Sequence, residues 1–177
     1  MRIVKWILGS LIVIIAVLGI IGMLLPRDVT VARSIEIDAA AADIFPFVND
    51  LRAGVDWSPW LSQDPETRLI FSEVATGKGA TLDWASDNGN VGSGRMEITD
   101  VRPNERLEVA LDFGAMGMAD AFWDFVEVSG KTTVTWGFAT DMGAGPAGRW
   151  MGLMMDSWIG ADYQRGLENL KALVEAG

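Results

Sequence analysis

The chain contains no histidine and no cysteine. The usual general base near neutral pH, the commonest transition-metal ligand and the thiolate nucleophile are therefore all missing. Acid–base chemistry falls to Asp, Glu, Ser, Lys, Arg or the single Tyr163. Asp156 and Asp162 are the carboxylates nearest the apolar stripes of a helical segment. A buried one would have a raised pKa and could act as a general base; a solvated helix face is the plainer reading. Arg33 sits at apolar parity in its strand. There it could grip a ligand carboxylate through two N–H donors, lie at the strand edge, or pair with a core carboxylate. No spacing matches a catalytic motif, and neither cofactor nor metal is expected.

What the sequence offers is apolar binding surface. Trp84, Met96, Phe113, Ala119, Ala121, Trp136 and Phe138 fall on inward strand positions, and Met154, Met155 and Trp158 on a helical stripe. Small inward residues (Gly92, Gly94, Ala119, Ala121) opposed by large ones leave volume, and methionine suits an adaptable apolar pocket. The same residues could instead fill a close-packed core. Trp57 and Trp60 flank Pro59 in a loop. They read as a ligand gate, a membrane-interface contact, or a plug at one end of a sheet–helix gap.

The elements that must position these groups follow from periodicity. Val29, Val31, Ile35 and Ile37 alternate with polar or small residues as a strand, and Asp38 is the expected N-cap of a helix shortened or bent at Pro46. Loop or short helical turns run from Arg52 to Pro65. Six strands are expected next: Thr67–Val74, Ala80–Ser86, Gly92–Val101, Arg106–Phe113, Met118–Val128 and Thr132–Thr140, joined by hairpin turns. From Pro146 the pattern is helical. Met151, Met154, Met155 and Trp158 form one stripe, and Tyr163, Leu167, Leu170 and Val174 another. The two are out of phase, so a kink is expected at Gly160. Hairpins imply an antiparallel sheet, and the long C-terminal helix is the only element large enough to cover its apolar face. The fold class is α+β, a curved antiparallel sheet of about seven strands around a long helix.

Residues 6–25 carry no charge and are dense in Ile, Leu and Val. About 20 such residues match the hydrocarbon thickness of a bilayer. The run is too long for a signal-peptide core, and Met23-Leu24-Leu25-Pro26 offers no small-residue cleavage site. It reads as a single-pass anchor, dividing the chain into 1–28, anchor, and 29–177, folded domain. Arg2 and Lys5 against Arg27 and Arg33 narrowly favour a cytoplasmic N-terminus. In a bacterium the domain would then face the periplasm or the exterior. The chain has 14 Lys+Arg against 24 Asp+Glu, net −10. Removing Arg2 and Lys5 leaves 12 against 24, or −12, for residues 27–177. Such a surface repels nucleic acid and anionic headgroups.

Several segments in order carry a resemblance: VARSIEIDAAAADIFPFVND, WSPW, VGSGRMEITDVRPNERL, TVTWGF and RWMGLMMDSWIGADYQRGLENLKAL. Together they resemble the helix-grip fold of the START/Bet v 1-like superfamily, and within it the bacterial polyketide cyclase/dehydrase-like (SRPBCC) proteins. The resemblance spans residues 29–174 and rests on order and spacing, since none of the pieces is a catalytic signature. It implies a cavity between sheet and C-terminal helix for an apolar small molecule or lipid. Three functions stay open: a membrane-tethered binding module, a cyclase or dehydratase working through carboxylates, and an envelope structural or interaction protein with a filled core.

Overall fold

Alternating apolar residues from Val29 onward build β1 (Asp28–Ile37), and the same period recurs in six later strands. The computed structural model describes residues 2–176. Helix α1 (Arg2–Leu24) precedes β1; α2 (Ala41–Asn49) and the single turn α3 (Gly54–Trp57) follow it. Then come β2 (Arg68–Phe71), β3 (Thr81–Ala85), β4 (Ser93–Arg102), β5 (Arg106–Asp112), β6 (Met118–Val128) and β7 (Lys131–Asp141). The chain ends in α4 (Pro146–Gly152) and α5 (Met155–Ala176).

The seven strands form one antiparallel sheet in the order β1-β7-β6-β5-β4-β3-β2. Every neighbour after the β1–β7 closure is a hairpin or meander, which is why turn signals were sufficient to read it. A register shift between Ile98 and Asp100 marks a bulge in β4, the device that bends and twists a sheet. Helix α5 packs along β1 and reaches β7. Its buried line runs Gly160, Tyr163, Gly166, Leu167 and Leu170. Facing it are Val31, Ile37, Val134 and Trp136, all buried.

Two local expectations are corrected. Asp38 does not cap α2: the N-cap is Ala40, which has no capping side chain. Glu127 at the end of β6 accepts from the Ala41 N–H (2.9 Å), and Glu175 of α5 accepts from the Asp38 N–H (2.9 Å). The Glu127 carboxylate, from a distant strand, thus stands in for the local cap and places negative charge at the positive end of α2, while Glu175 holds the chain just before it. The kink expected at Gly160 is absent, because α5 runs unbroken through it and the interruption lies at Leu153–Met154. Gly160 is needed instead for the approach of Arg33, whose guanidinium fills the space a Cβ would take.

Where the chain leaves α1 for β1, the guanidinium of Arg27 forks onto Asp141 at the end of β7, with Nε–Oδ1 at 2.5 Å. The Gly143 N–H donates to the same carboxylate (2.8 Å). The Arg27 bond first, and the Gly143 bond second, hold the Asp141 carboxyl at about 2, below its ordinary 3.8. A carboxyl depressed in the folded state contributes stability above its ordinary value and loses it as pH falls toward the folded value. The Asp141 contribution to the urea midpoint should therefore be present above 3.8 and be lost toward pH 2. Asp141→Asn should narrow the gap between midpoints measured at pH 7 and pH 3. The pair is exposed, so added salt should shrink the effect further. An unchanged gap in the variant would show that the pair contributes nothing.

Candidate functional site

Trp123 and Trp136 occupy inward positions on neighbouring strands and pair directly in register. Their rings stack with centroids 5.1 Å apart and planes 21° apart. Trp136 also stacks on Tyr163 of α5, at 4.0 Å and 10°. Gly166, one turn beyond Tyr163, makes that possible: a Cβ there would lie 2.6 Å from the Trp136 ring. Trp57 and Trp60 meet Trp136 edge-on at 5.4 and 5.6 Å. Five aromatic rings thus occupy the middle of the sheet–helix interface.

The segment that carries Trp57 and Trp60 is pinned from both sides. The Trp57 indole donates to the Phe47 carbonyl (3.0 Å), and Asn169 of α5 donates to the Trp57 carbonyl (3.2 Å). Pro59 is fully buried beside Gly166. In this arrangement the two tryptophans sit as a stopper against the core.

The stacked pair has an unusual polar feature. Trp123 Nε1 and Trp136 Nε1 are buried and have no protein acceptor. An indole N–H ordinarily finds one when buried, and leaving it unpaired costs about 1–3 kcal/mol. Sequence patterning could place both rings inward but could not reveal that their donors lack partners. Tyr163 is 2% exposed, and burial pushes its phenol pKa well above the ordinary range.

The other expected lining residues divide into three groups. Ala119, Ala121 and Phe138 are buried on β6 and β7, with Ala121 opposite Phe138. Trp84, Met96 and Phe113 form a half-buried group at the β3–β5 side, where Trp84 meets Phe113 edge-on at 5.8 Å. The volume that Gly94 was expected to leave open is taken by the Trp84 ring, 2.6 Å from where a Cβ would stand. Met155 packs partly against the core, whereas Met154 and Trp158 point outward, 49% and 48% exposed. The last two therefore do not line the sheet–helix interface. Trp158 and Tyr163 lie five residues apart, which turns them about 140° from each other on a straight helix.

Arg33 lies opposite Trp136 in register and pairs with Asp156 of α5 at 2.9 Å. The hydrogen bond from Arg33 holds the Asp156 carboxyl below its ordinary value. Asp156 is solvent-exposed rather than buried, so this is a surface pairing that straps β1 to α5. Asp162 pairs with Arg165 on the same helix, 3.0 Å away. Among the described residues the carboxyls with displaced pKa, Asp141, Asp156 and Glu175, are all displaced downward. That is opposite to what a general base near neutral pH requires.

Two hollows lie at the surface, and neither is lined by a ring of the cluster. One, of about 270 Å³, is bounded by the Val55–Leu69 stretch and Asn169. The other, about 440 Å³ and more polar, lies between Asp64, Arg68 and Asp87. Among the described residues no group of three or more carboxylates converges as a metal cage would need.

The fold is shared with several solved structures. The chain is similar to Zhui, an aromatase/cyclase from Streptomyces, with TM-score 0.63 and 15% identity over 84% of this chain and 94% of that one. It is similar to protein Ms6760 of Mycobacterium smegmatis, with TM-score 0.57 and 18% identity over 84% and 92%. It also matches StfQ, a di-domain aromatase/cyclase of the steffimycin biosynthetic pathway, with TM-score 0.63 and 12% identity over 85% of this chain and 51% of that one. At these identities the likeness establishes the helix-grip architecture. No curated protein matches the chain. A family model described as polyketide cyclase/dehydrase and lipid transport matches residues 28–175, and the chain belongs to that family.

Proposed function

We propose that the protein is a membrane-tethered binding module for an apolar, lipid-like small molecule that carries at least one hydrogen-bond acceptor. The observation that carries this reading is the pair of unpartnered indole donors on Trp123 and Trp136, inside an otherwise apolar aromatic cluster. A carbonyl or ether oxygen on a ligand would satisfy them, and the surrounding rings would cover its hydrocarbon part. Trp57 and Trp60 are the gate in this reading, since their withdrawal would open the cluster from one side. Family membership supports an apolar ligand. The downward-displaced carboxyls give an enzymatic reading no support. Helix α1, apolar over Lys5–Leu24, is the tether. The residue 1–28 segment would anchor the chain, and the 29–177 domain would face the periplasm or the exterior.

The test is binding of an acylnaphthalene probe, which has one ketone, against its hydrocarbon analogue that has none. The full-length protein should bind the ketone more tightly. Trp123→Phe and Trp136→Phe should each erase about 1 kcal/mol of that preference, roughly fivefold, because each removes one donor and keeps a ring. Solvent extraction of the purified protein followed by mass spectrometry should release an oxygen-containing lipophile. No probe binding and nothing extracted would leave the filled-core, structural reading.

A further inference from the structure

The exposed stripe on α4 and the start of α5 is not scattered surface hydrophobicity. Met151, Leu153, Met154 and Trp158 are all about half exposed and lie together at the α4–α5 junction, Met151, Met154 and Trp158 at helical spacing. From Met142 to Trp158 the only charged residues are Asp156, which pairs with Arg33 at 2.9 Å, and Arg149. The Arg149 guanidinium is committed to the end of α1, donating to the carbonyls of Met23 (2.5 Å) and Leu25 (3.1 Å). Isolated exposed apolar residues need no explanation, but a contiguous, charge-poor patch of this kind marks a contact surface.

The position of α4 against α1 identifies what covers the patch. The Trp150 indole donates to the Leu18 carbonyl (3.1 Å). Gly22 admits Pro146 and Trp150 so closely that a Cβ there would lie 2.7 Å from Pro146. Leu18 lies six residues before the end of α1 at Leu24. At helical rise that is about 9 Å back along the helix. Helices that lie in the bilayer interface bury their apolar face about 5–10 Å deep, the same depth. Met116 and Met118, also exposed, lie at this same end of the sheet, where Thr140 donates to the Met118 carbonyl.

We infer that α4 and the first turns of α5 lie in the lipid interface beside α1, as a second membrane contact that fixes the domain against the bilayer. This rests on reading α1 as a membrane span. The domain carries −12 over residues 27–177, so the surface it fits is a zwitterionic bilayer, with attachment through acyl-chain contact rather than headgroup charge. The face with the Met-rich stripe then meets lipid directly, and α5 carries that contact straight into the ring cluster at Tyr163.

The chain has no cysteine, so single labels are free of background. Full-length protein in phosphatidylcholine nanodiscs would carry an environment-sensitive fluorophore on Met154→Cys, on Ile15→Cys within α1, or on Ser129→Cys at the β6–β7 turn. Labels at Ile15 and Met154 should be quenched by doxyl lipids and lose quenching by aqueous iodide. The label at Ser129 should behave in the opposite way. Iodide quenching at Met154 equal to that at Ser129, with Ile15 still in lipid, overturns the inference and leaves the anchor standing. Loss of lipid quenching at Ile15 overturns the anchor itself. Protection of Met154 from both quenchers means that protein, such as a second copy of this chain, covers the stripe, which also overturns the lipid assignment.

Discussion

Replacing Trp136 with alanine should lower the unfolding free energy by about 3 kcal/mol. Truncating a buried tryptophan costs about 3–5 kcal/mol, through lost transfer free energy and the cavity left behind. Trp136 lies at the centre of the aromatic cluster, touching Trp57, Trp60, Trp123 and Tyr163. Those rings come from β6, the short helix α3, the turn after it and α5, so no single movement can close the hole. The lower end of the range applies because the substitution also removes an N–H that has no protein acceptor. Trp136→Phe separates these terms: it keeps a ring and removes the donor, so it should cost far less than alanine. Urea midpoints of the full-length protein in mild detergent measure both. A loss under about 1 kcal/mol for the alanine variant would show that the ring does not bear on the core. Against a total stability on the order of 5–15 kcal/mol, the expected loss is large.

How much of this was legible in the sequence depends on the range of the physics involved. Strand parity is a local property, and Val134, Trp136 and Phe138 alternate so cleanly that their burial could be read directly. The hairpin turns likewise fixed a meander, and Met118–Val128 matches β6 to the residue. The out-of-phase stripes of the last helix had two solutions. A kink at Gly160 would have turned both inward; leaving one on the surface needs no kink. The chain takes the second, because Gly160 is held flat against Arg33 and because Met151, Met154 and Trp158 face away from the sheet.

Other features depend on partners far apart in the chain, which no spacing rule could supply. Arg33 reads as an orphan charge on an apolar strand face until α5 brings Asp156 to it. Asp38 looks like a cap because it precedes an alanine-rich helix, yet Glu127 and Glu175 arrive from β6 and α5 to take the backbone donors. Small inward strand residues suggested open volume, but packing gave the space beside Gly94 to Trp84, just as Gly166 on α5 admits Trp136. A glycine in a sequence marks where a neighbour comes close, and only the fold tells whether that neighbour is a ligand or a side chain.

Removing α1 should move the protein from the membrane to the soluble fraction and leave the domain folded. A chain beginning at Arg27 retains the fork onto Asp141 and the Met142 N–H bond to the Arg27 carbonyl (2.9 Å), so β1 remains tied to β7. Helix α1 meets the domain chiefly through α4, outside the core. What is lost are the carbonyls of Leu18, Met23 and Leu25 that accept from Trp150 and Arg149. Those donors turn to water, so the unfolding free energy should fall by no more than about 1 kcal/mol. The full-length chain should resist carbonate extraction, and the truncated one should need no detergent. Mature protein found soluble and beginning near residue 27 would sink the anchor in favour of a cleaved leader. Aggregation of the truncated domain would show that α1 is a structural partner of α4 through Trp150 and Arg149, a role that bilayer lipid alone could not replace.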